Sequence, residues 1–189
     1  MKKIIINIGR QFGAGGLSVA RMLGEKLSLP VYDSELISKA AKESGFSCDI
    51  LKGCDERRSR FTMHYRMEAD VFNIQSETIR KIASEGSAII LGRCSDYILR
   101  DMDCTLNVFL TSPVNIRAER VSRRDGIPVE EAWEIVEEKD KKRKEYYDYF
   151  TFGEWGVAST YDLCVDSSIL GIEATADFII DFAKKSGLL

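Results

Sequence analysis

The stretch Gly9-Arg10-Gln11-Phe12-Gly13-Ala14-Gly15-Gly16-Leu17-Ser18 decides how this chain is read. Ahead of it stands Ile4-Ile5-Ile6-Asn7-Ile8, a β-branched apolar run that reads as a buried strand. Behind it, residues 19–29 predict a helix, with Leu17, Ala20, Leu23 and Leu27 on one face at spacings of three and four. Strand, glycine-rich turn and helix make half of a βαβ unit. Glycine lets the backbone turn sharply and come close to a ligand. The first N–H groups of the helix lack intrahelical acceptors and lie at the positive end of its dipole. The turn is therefore suited to hold a phosphate group; a tight turn holding nothing is the plainer alternative.

The usual phosphate loop reads G-x-x-x-x-G-K followed by Ser or Thr. Here Gly13-Ala14-Gly15 is followed by Gly16 where the lysine would stand, and Ser18 takes the hydroxyl position of the variant with one residue between lysine and hydroxyl. Arg10 stands five residues before Gly15. It is the nearest cation to the loop and could supply the charge that Gly16 lacks.

Working outward, residues 30–33 predict a short second strand ending in Asp33, and Ser34 is placed to cap a helix over 35–43. Residues 46–63 read as irregular and polar. Their arginines Arg57, Arg58 and Arg60, with Arg66 beyond, are either a solvated face or an anion-binding flap over 46–66. A helix over 67–84 leads to the apolar run 88–91, a central parallel strand followed directly by Gly92 and Arg93. A short helix at 96–99, a strand at 105–110 and a helix at 114–124 come next. A long helix over 129–149 has its acids early and its bases late, and the chain closes on a strand at 161–165 and a helix at 172–183. Strands alternate with helices throughout. The fold class is therefore α/β, a parallel sheet of about five strands with helices on both faces and all 189 residues in one domain; with the glycine-rich loop after its first strand it resembles a P-loop NTPase domain. Ligands of such sheets sit at the C-terminal strand ends. The glycine-rich loop, Asp33 and Gly92-Arg93 all fall there.

Composition narrows the function. A net charge of −3 argues against a dedicated nucleic-acid binder. No apolar run approaches the roughly 18 residues of a membrane span. Five cysteines without a C-x-x-C spacing fit reduced thiols in a cytoplasm better than a disulfide frame or a zinc site. His64 is the one histidine, and its neighbours Met63 and Tyr65 offer it no catalytic partner.

With these features in place, the chain resembles the nucleoside monophosphate kinases, and most of all the cytidylate kinase-like family. Gly13-Ala14-Gly15 with Ser18-Val19-Ala20 is similar to that family's G-A/S-G-K-G-T-x-A. Tyr32-Asp33-Ser34 resembles its L-D-S/T, Leu91-Gly92-Arg93 its D-G-R, and Asp140 with Arg143 the charged lid, here 125–150. Three positions depart from the pattern. Gly16 replaces the lysine, Leu91 the aspartate of D-G-R, and Cys94 the base-contacting aspartate after it. The first two bear on catalytic power, the third on the choice of base.

The resemblance implies transfer of the terminal phosphoryl of ATP, with Mg²⁺, to a nucleoside monophosphate, CMP or dCMP first. It implies that Arg10, Gly13, Ala14, Gly15, Gly16, Leu17 and Ser18 bind the triphosphate, with Ser18 also on the metal. Ser34, Lys39 and Arg93 would bind the acceptor; Arg93, Arg143 and Asp33 would serve catalysis. Its alternatives are a catalytically weak or regulatory nucleotide-binding protein, a kinase for another small acceptor, and an interaction module that binds no nucleotide.

Overall fold

The computed structural model describes residues 2–43 and 60–189, with side chains for 2–43 and 68–189. Among these residues one parallel sheet is formed by β1 (Ile5–Arg10), β2 (Val31–Tyr32), β3 (Ala88–Leu91), β4 (Thr105–Thr111) and β5 (Leu163–Asp166), in the spatial order β2-β3-β1-β4-β5. The helices are α1 (Gly16–Leu27), α2 (Ser34–Glu43), α3 (Arg60–Glu85), α4 (Ser95–Ile98), α5 (Val114–Asp125), α6 (Val129–Thr151) and α7 (Ser167–Lys185), with a 3₁₀ turn at Ala158–Thr160.

The isoleucine run explains why β1 is central. Ile4, Ile6 and Ile8 face one side and cluster with Val19, Ala20 and Leu23 of α1 and Ile179 of α7. Ile5 faces the other and clusters with Ile37 of α2, Ile79 of α3 and Ile98 of α4. All four are fully buried, each contributing about 1.5–3 kcal/mol. A strand with both faces committed in this way has to lie inside the sheet. Its C-terminal end then opens between those of β3 and β4, where the winding of the chain reverses and ligands of such sheets bind.

Several element boundaries differ from the expected ones, each for a local reason. α1 starts at Gly16 rather than 19, because Gly15 at φ 80° closes the turn as the cap. Asp33, not Ser34, caps α2: its Oδ1 accepts from the N–H groups of Glu35 and Leu36, both at 3.0 Å, so the helix already includes Ser34. α3 reaches back to Arg60. Of the expected flap over 46–66, residues 46–59 lie outside the described residues, Arg57 and Arg58 among them, as do the side chains of Arg60, His64 and Arg66. α7 begins at Ser167, with Asp166 accepting from Ser168 N–H at 2.8 Å, and breaks at Gly171 (φ 76°, ψ 175°). The periodicity from 172 onward is its second half.

Candidate active site

Two cavities open at the C-terminal ends of β1 and β3. The larger, about 580 Å³, lies over the glycine-rich loop. The smaller, about 310 Å³, lies over Gly92 to Asp96. Arg10, Ser34 and Arg143 line both and mark where they meet.

The loop is shaped by two left-handed glycines, Gly13 and Gly15, both at φ 80°. At Gly13 a Cβ would lie 2.9 Å from the Arg117 carbonyl oxygen, and at Gly15 2.5 Å from Ile172 Cδ1. Gly16, Leu17 and Ser18 form the first turn of α1, and all three line the larger cavity with Gly13 and Gly15. Their N–H groups therefore stand at the cavity with no intrahelical acceptor. Ala14 has a different place. It is fully buried, and its carbonyl accepts from Ser167 Oγ at 2.7 Å, which straps the loop to α7. Ser167 Oγ in turn accepts from Arg120 at 3.0 Å.

A Mg²⁺ carried by a triphosphate fits this donor set. Ser18 and Asp33 both line the larger cavity, and magnesium favours one or two protein oxygens with phosphates and water. Among the described residues no group of three or more His, Cys, Asp or Glu could hold a metal ion unaided.

The smaller cavity is built differently. Gly92, Arg93 and Cys94 take φ values of 75°, 59° and 57°, three left-handed residues in succession. Such strain in non-glycine residues persists only where the surroundings enforce it, often at functional sites. The turn brings the Arg93 guanidinium 5.9 Å from the Tyr146 ring centroid. Tyr146, Tyr147, Trp155 and Tyr161 form an aromatic wall, and among the described residues Asp96 is the one carboxylate lining the cavity. Asp96 accepts from the Tyr147 hydroxyl at 2.8 Å, and burial holds its carboxyl above the ordinary carboxylate range. Burial also pushes the Cys94 thiol up to about 12, which makes it an inert lining group.

Charge converges where the cavities join. Arg10, Arg93 and Arg143 line the smaller cavity together, with Lys139 and Lys142 also on its lining. Burial, then the charges of Arg143 and Arg93, push the Arg10 guanidinium down to about 9, still protonated at neutral pH. Burial likewise lowers Arg143, partly offset by Asp140. Burying cations this close together is unfavourable until an anion enters.

The long helix α6 does more than carry surface charge. Asp140 accepts the Phe12 N–H at 2.6 Å and the Arg117 Nη1 at 2.5 Å, while Arg117 also donates to the carbonyls of Phe12 (3.0 Å) and Ser112 (2.8 Å). The expected lid aspartate is thus a clasp that pins α6 to the loop. Arg143, one turn on, already reaches inward, donating to the Arg10 carbonyl at 3.1 Å and stacking 5.2 Å from the Phe12 ring. Lys39 stands apart from the cavities, exposed and 3.9 Å from Glu43, an i,i+4 pair on α2.

The structure therefore brings together Arg10, the loop glycines, Leu17, Ser18, Asp33, Ser34, Arg93 and Arg143, and leaves out Lys39. The aromatic wall, Asp96, and Arg120 and Arg124 in the larger cavity were not among the expected site residues. Tyr146 and Tyr147 follow Arg143 by three and four residues, a same-face signal that was available. Trp155 and Tyr161 carry no local signal at all.

The sequence profile of the cytidylate kinase-like family matches residues 5–169. The chain belongs to the cytidylate kinase-like family. A cytidylate kinase of Pyrococcus horikoshii is 30% identical over 168 residues, 88% of this chain and 81% of that one. Among solved structures, a protein of Eubacterium ventriosum described as uncharacterized superposes with a TM-score of 0.80 at 29% identity, covering 96% of this chain and 99% of its own. The shikimate kinase of Acinetobacter baumannii superposes at 0.58 with 16% identity, covering 100% and 97%, a likeness of fold alone. Membership of this family supports a phosphotransferase, whose chemistry rests on positioning and positive charge rather than on covalent catalysis.

Proposed function

We propose that this protein transfers the terminal phosphoryl group of ATP to a nucleoside monophosphate, with CMP or dCMP the preferred acceptor. One observation carries the reading: two cavities, one over a glycine-rich loop and one walled by aromatic rings, meet at Arg10, Ser34 and Arg143. Phosphoryl transfer asks little covalent chemistry of a protein. It needs two phosphates in line, positive charge around the moving group and water kept out. The amides of Gly13 to Ser18 hold the donor phosphates in the larger cavity. Arg93 holds the acceptor's phosphate, and Arg143 reaches the junction from α6. Ser18 and Asp33 would hold Mg²⁺, which when bound neutralises phosphate charge. The acceptor base lies against the aromatic wall, where the Asp96 carboxylate suits an edge bearing N–H groups, as cytosine's amino group does. The named relative from Pyrococcus horikoshii supports the same base. We place the reaction in the cytoplasm, where Cys94, Cys104 and Cys164 stay reduced; no helix among the described residues is long and apolar enough to cross a membrane.

The test is a steady-state panel of nucleoside monophosphates with ATP and Mg²⁺. CMP or dCMP should show the highest kcat/KM. If ATP binds by calorimetry but no nucleoside monophosphate is phosphorylated, the kinase reading fails in favour of a regulatory nucleotide-binding protein, the reading that Gly16 in the lysine position would favour.

A further inference from the structure

Arg10 is the last residue of β1. A Cβ built on Gly16 would lie 2.7 Å from Arg10 Cγ, 3.2 Å from its Cβ and 3.4 Å from its Cδ, so the stem of the arginine lies flat on Gly16. The far end rests on Gly92: a Cβ there would lie 1.9 Å from Arg10 Nη1 and 3.1 Å from Cζ. Gly92 also has φ 75°, which favours glycine independently of the contact. Two glycines from separate parts of the chain thus form a lane, and the lane runs from the donor cavity to the acceptor cavity, both of which Arg10 lines. Arg143 holds the near end by donating to the Arg10 carbonyl at 3.1 Å.

We propose, resting on the phosphotransfer reading above, that Arg10 is the cation of this phosphate loop, and that position 16 is glycine because the arginine occupies the space a side chain there would fill. In the usual loop a lysine one residue past the last glycine reaches the β- and γ-phosphates as a point charge. Here the charge arrives from the preceding strand instead, as a planar fork with donors to spare for oxygens on both sides of the transfer. Arg10 and a long side chain at 16 exclude each other. The contact at Gly16 is to the middle of the arginine stem rather than to its tip, so the stem cannot simply swing clear. The apparent loss of the lysine is thereby an exchange of one cation for another.

The proposal is tested by an exchange of residues. Wild type, Arg10→Ala, Gly16→Lys and the double variant Arg10→Ala/Gly16→Lys are compared. Arg10→Met is added because it keeps an apolar stem over Gly16 and loses only the charge. Thermal melting checks that each folds. Inorganic tripolyphosphate binding is measured by calorimetry, and turnover with ATP and CMP alongside it. Arg10→Ala and Arg10→Met should bind tripolyphosphate at least tenfold more weakly and lose turnover at least a hundredfold. Gly16→Lys alone should also lose binding, because it displaces the arginine. The double variant should regain at least tenfold over Arg10→Ala in both measurements. Tripolyphosphate binding within threefold of wild type in both Arg10 variants would overturn the proposal, as would a double variant no better than Arg10→Ala. If wild type phosphorylates no nucleoside monophosphate, the kinase reading falls by itself, and the tripolyphosphate comparison still decides whether Arg10 is the loop's cation.

Discussion

Asp140→Ala should destabilise the protein by about 3 kcal/mol, through the loop rather than through the helix that carries the residue. Asp140 and Arg117 are 15% and 7% exposed in their side chains, and their contact is 2.5 Å. Removing one partner of a buried pair costs about 3–5 kcal/mol, since the other charge is left in a poor solvent. Arg117 would keep the carbonyls of Ser112 and Phe12, at 2.8 and 3.0 Å, which places the loss at the lower end of that range. The Phe12 N–H, now at 2.6 Å from Asp140 Oδ1, would lose its acceptor as well. Asp140→Asn keeps an oxygen for that N–H and gives up only the charge, so about half the loss is expected, on the order of 1.5 kcal/mol. Urea unfolding at pH 7 measures both. A chain of this size shifts its Tm by about 2–4 °C per kcal/mol, so Asp140→Ala should melt roughly 6–12 °C lower. A double-mutant cycle with Arg117→Met should show a coupling above about 0.5 kcal/mol, as neighbours in one network do. A loss under about 1 kcal/mol in Asp140→Ala, with additive effects in the cycle, would refute the clasp and return Asp140 to the helix surface.

Arg143→Lys keeps the charge but loses the planar group that stacks on Phe12 and donates to the Arg10 carbonyl; kcat should fall at least tenfold, about 1.4 kcal/mol of barrier, while the Tm drops by no more than a few degrees, and an unchanged kcat would make this stretch of α6 scaffold. Asp96→Asn should stabilise the protein more at pH 7 than at pH 4. Burial raises the Asp96 carboxyl in the folded state, so its favourable contribution is complete below the ordinary value of 3.8 and is lost as pH rises through the folded value. Melting curves at the two pH values check the sign, and a variant that loses more stability at pH 7 than at pH 4 contradicts it. The same variant should lower kcat/KM for CMP far more than it affects ATP binding, because Asp96 lines only the acceptor side.

The order of elements and the phosphate loop were readable from the chain because both are written in near neighbours. An almost unbroken run of isoleucines in a strand is buried on both faces only inside a sheet, and Ile5 and Ile6 do point to opposite clusters. The loop glycines announce a turn whose backbone other residues resist, and Gly13 and Gly15 both take positive φ. Arg93 was legible because it directly follows a buried strand. Lys39, expected on the acceptor side, is exposed beside Glu43 and lines neither cavity, for spacing from a motif says which turn of a helix a residue occupies, not which way that turn faces once the helix packs. The clasp, the strap from Ser167 to the loop, the Trp155 and Tyr161 part of the aromatic wall and the route of Arg10 had no such local mark. Their contacts join residues far apart in sequence: Phe12 with Asp140 across 128 positions, Arg10 with Arg143 across 133, Ala14 with Ser167 across 153. Which acid meets which base at that distance is chosen when packing excludes water, for only then does an unpaired charge or N–H become costly enough to select its partner. Asp140 and Lys39 look alike on the page as charged residues of amphipathic helices; burial of one and exposure of the other made the first a clasp and the second a surface ion pair.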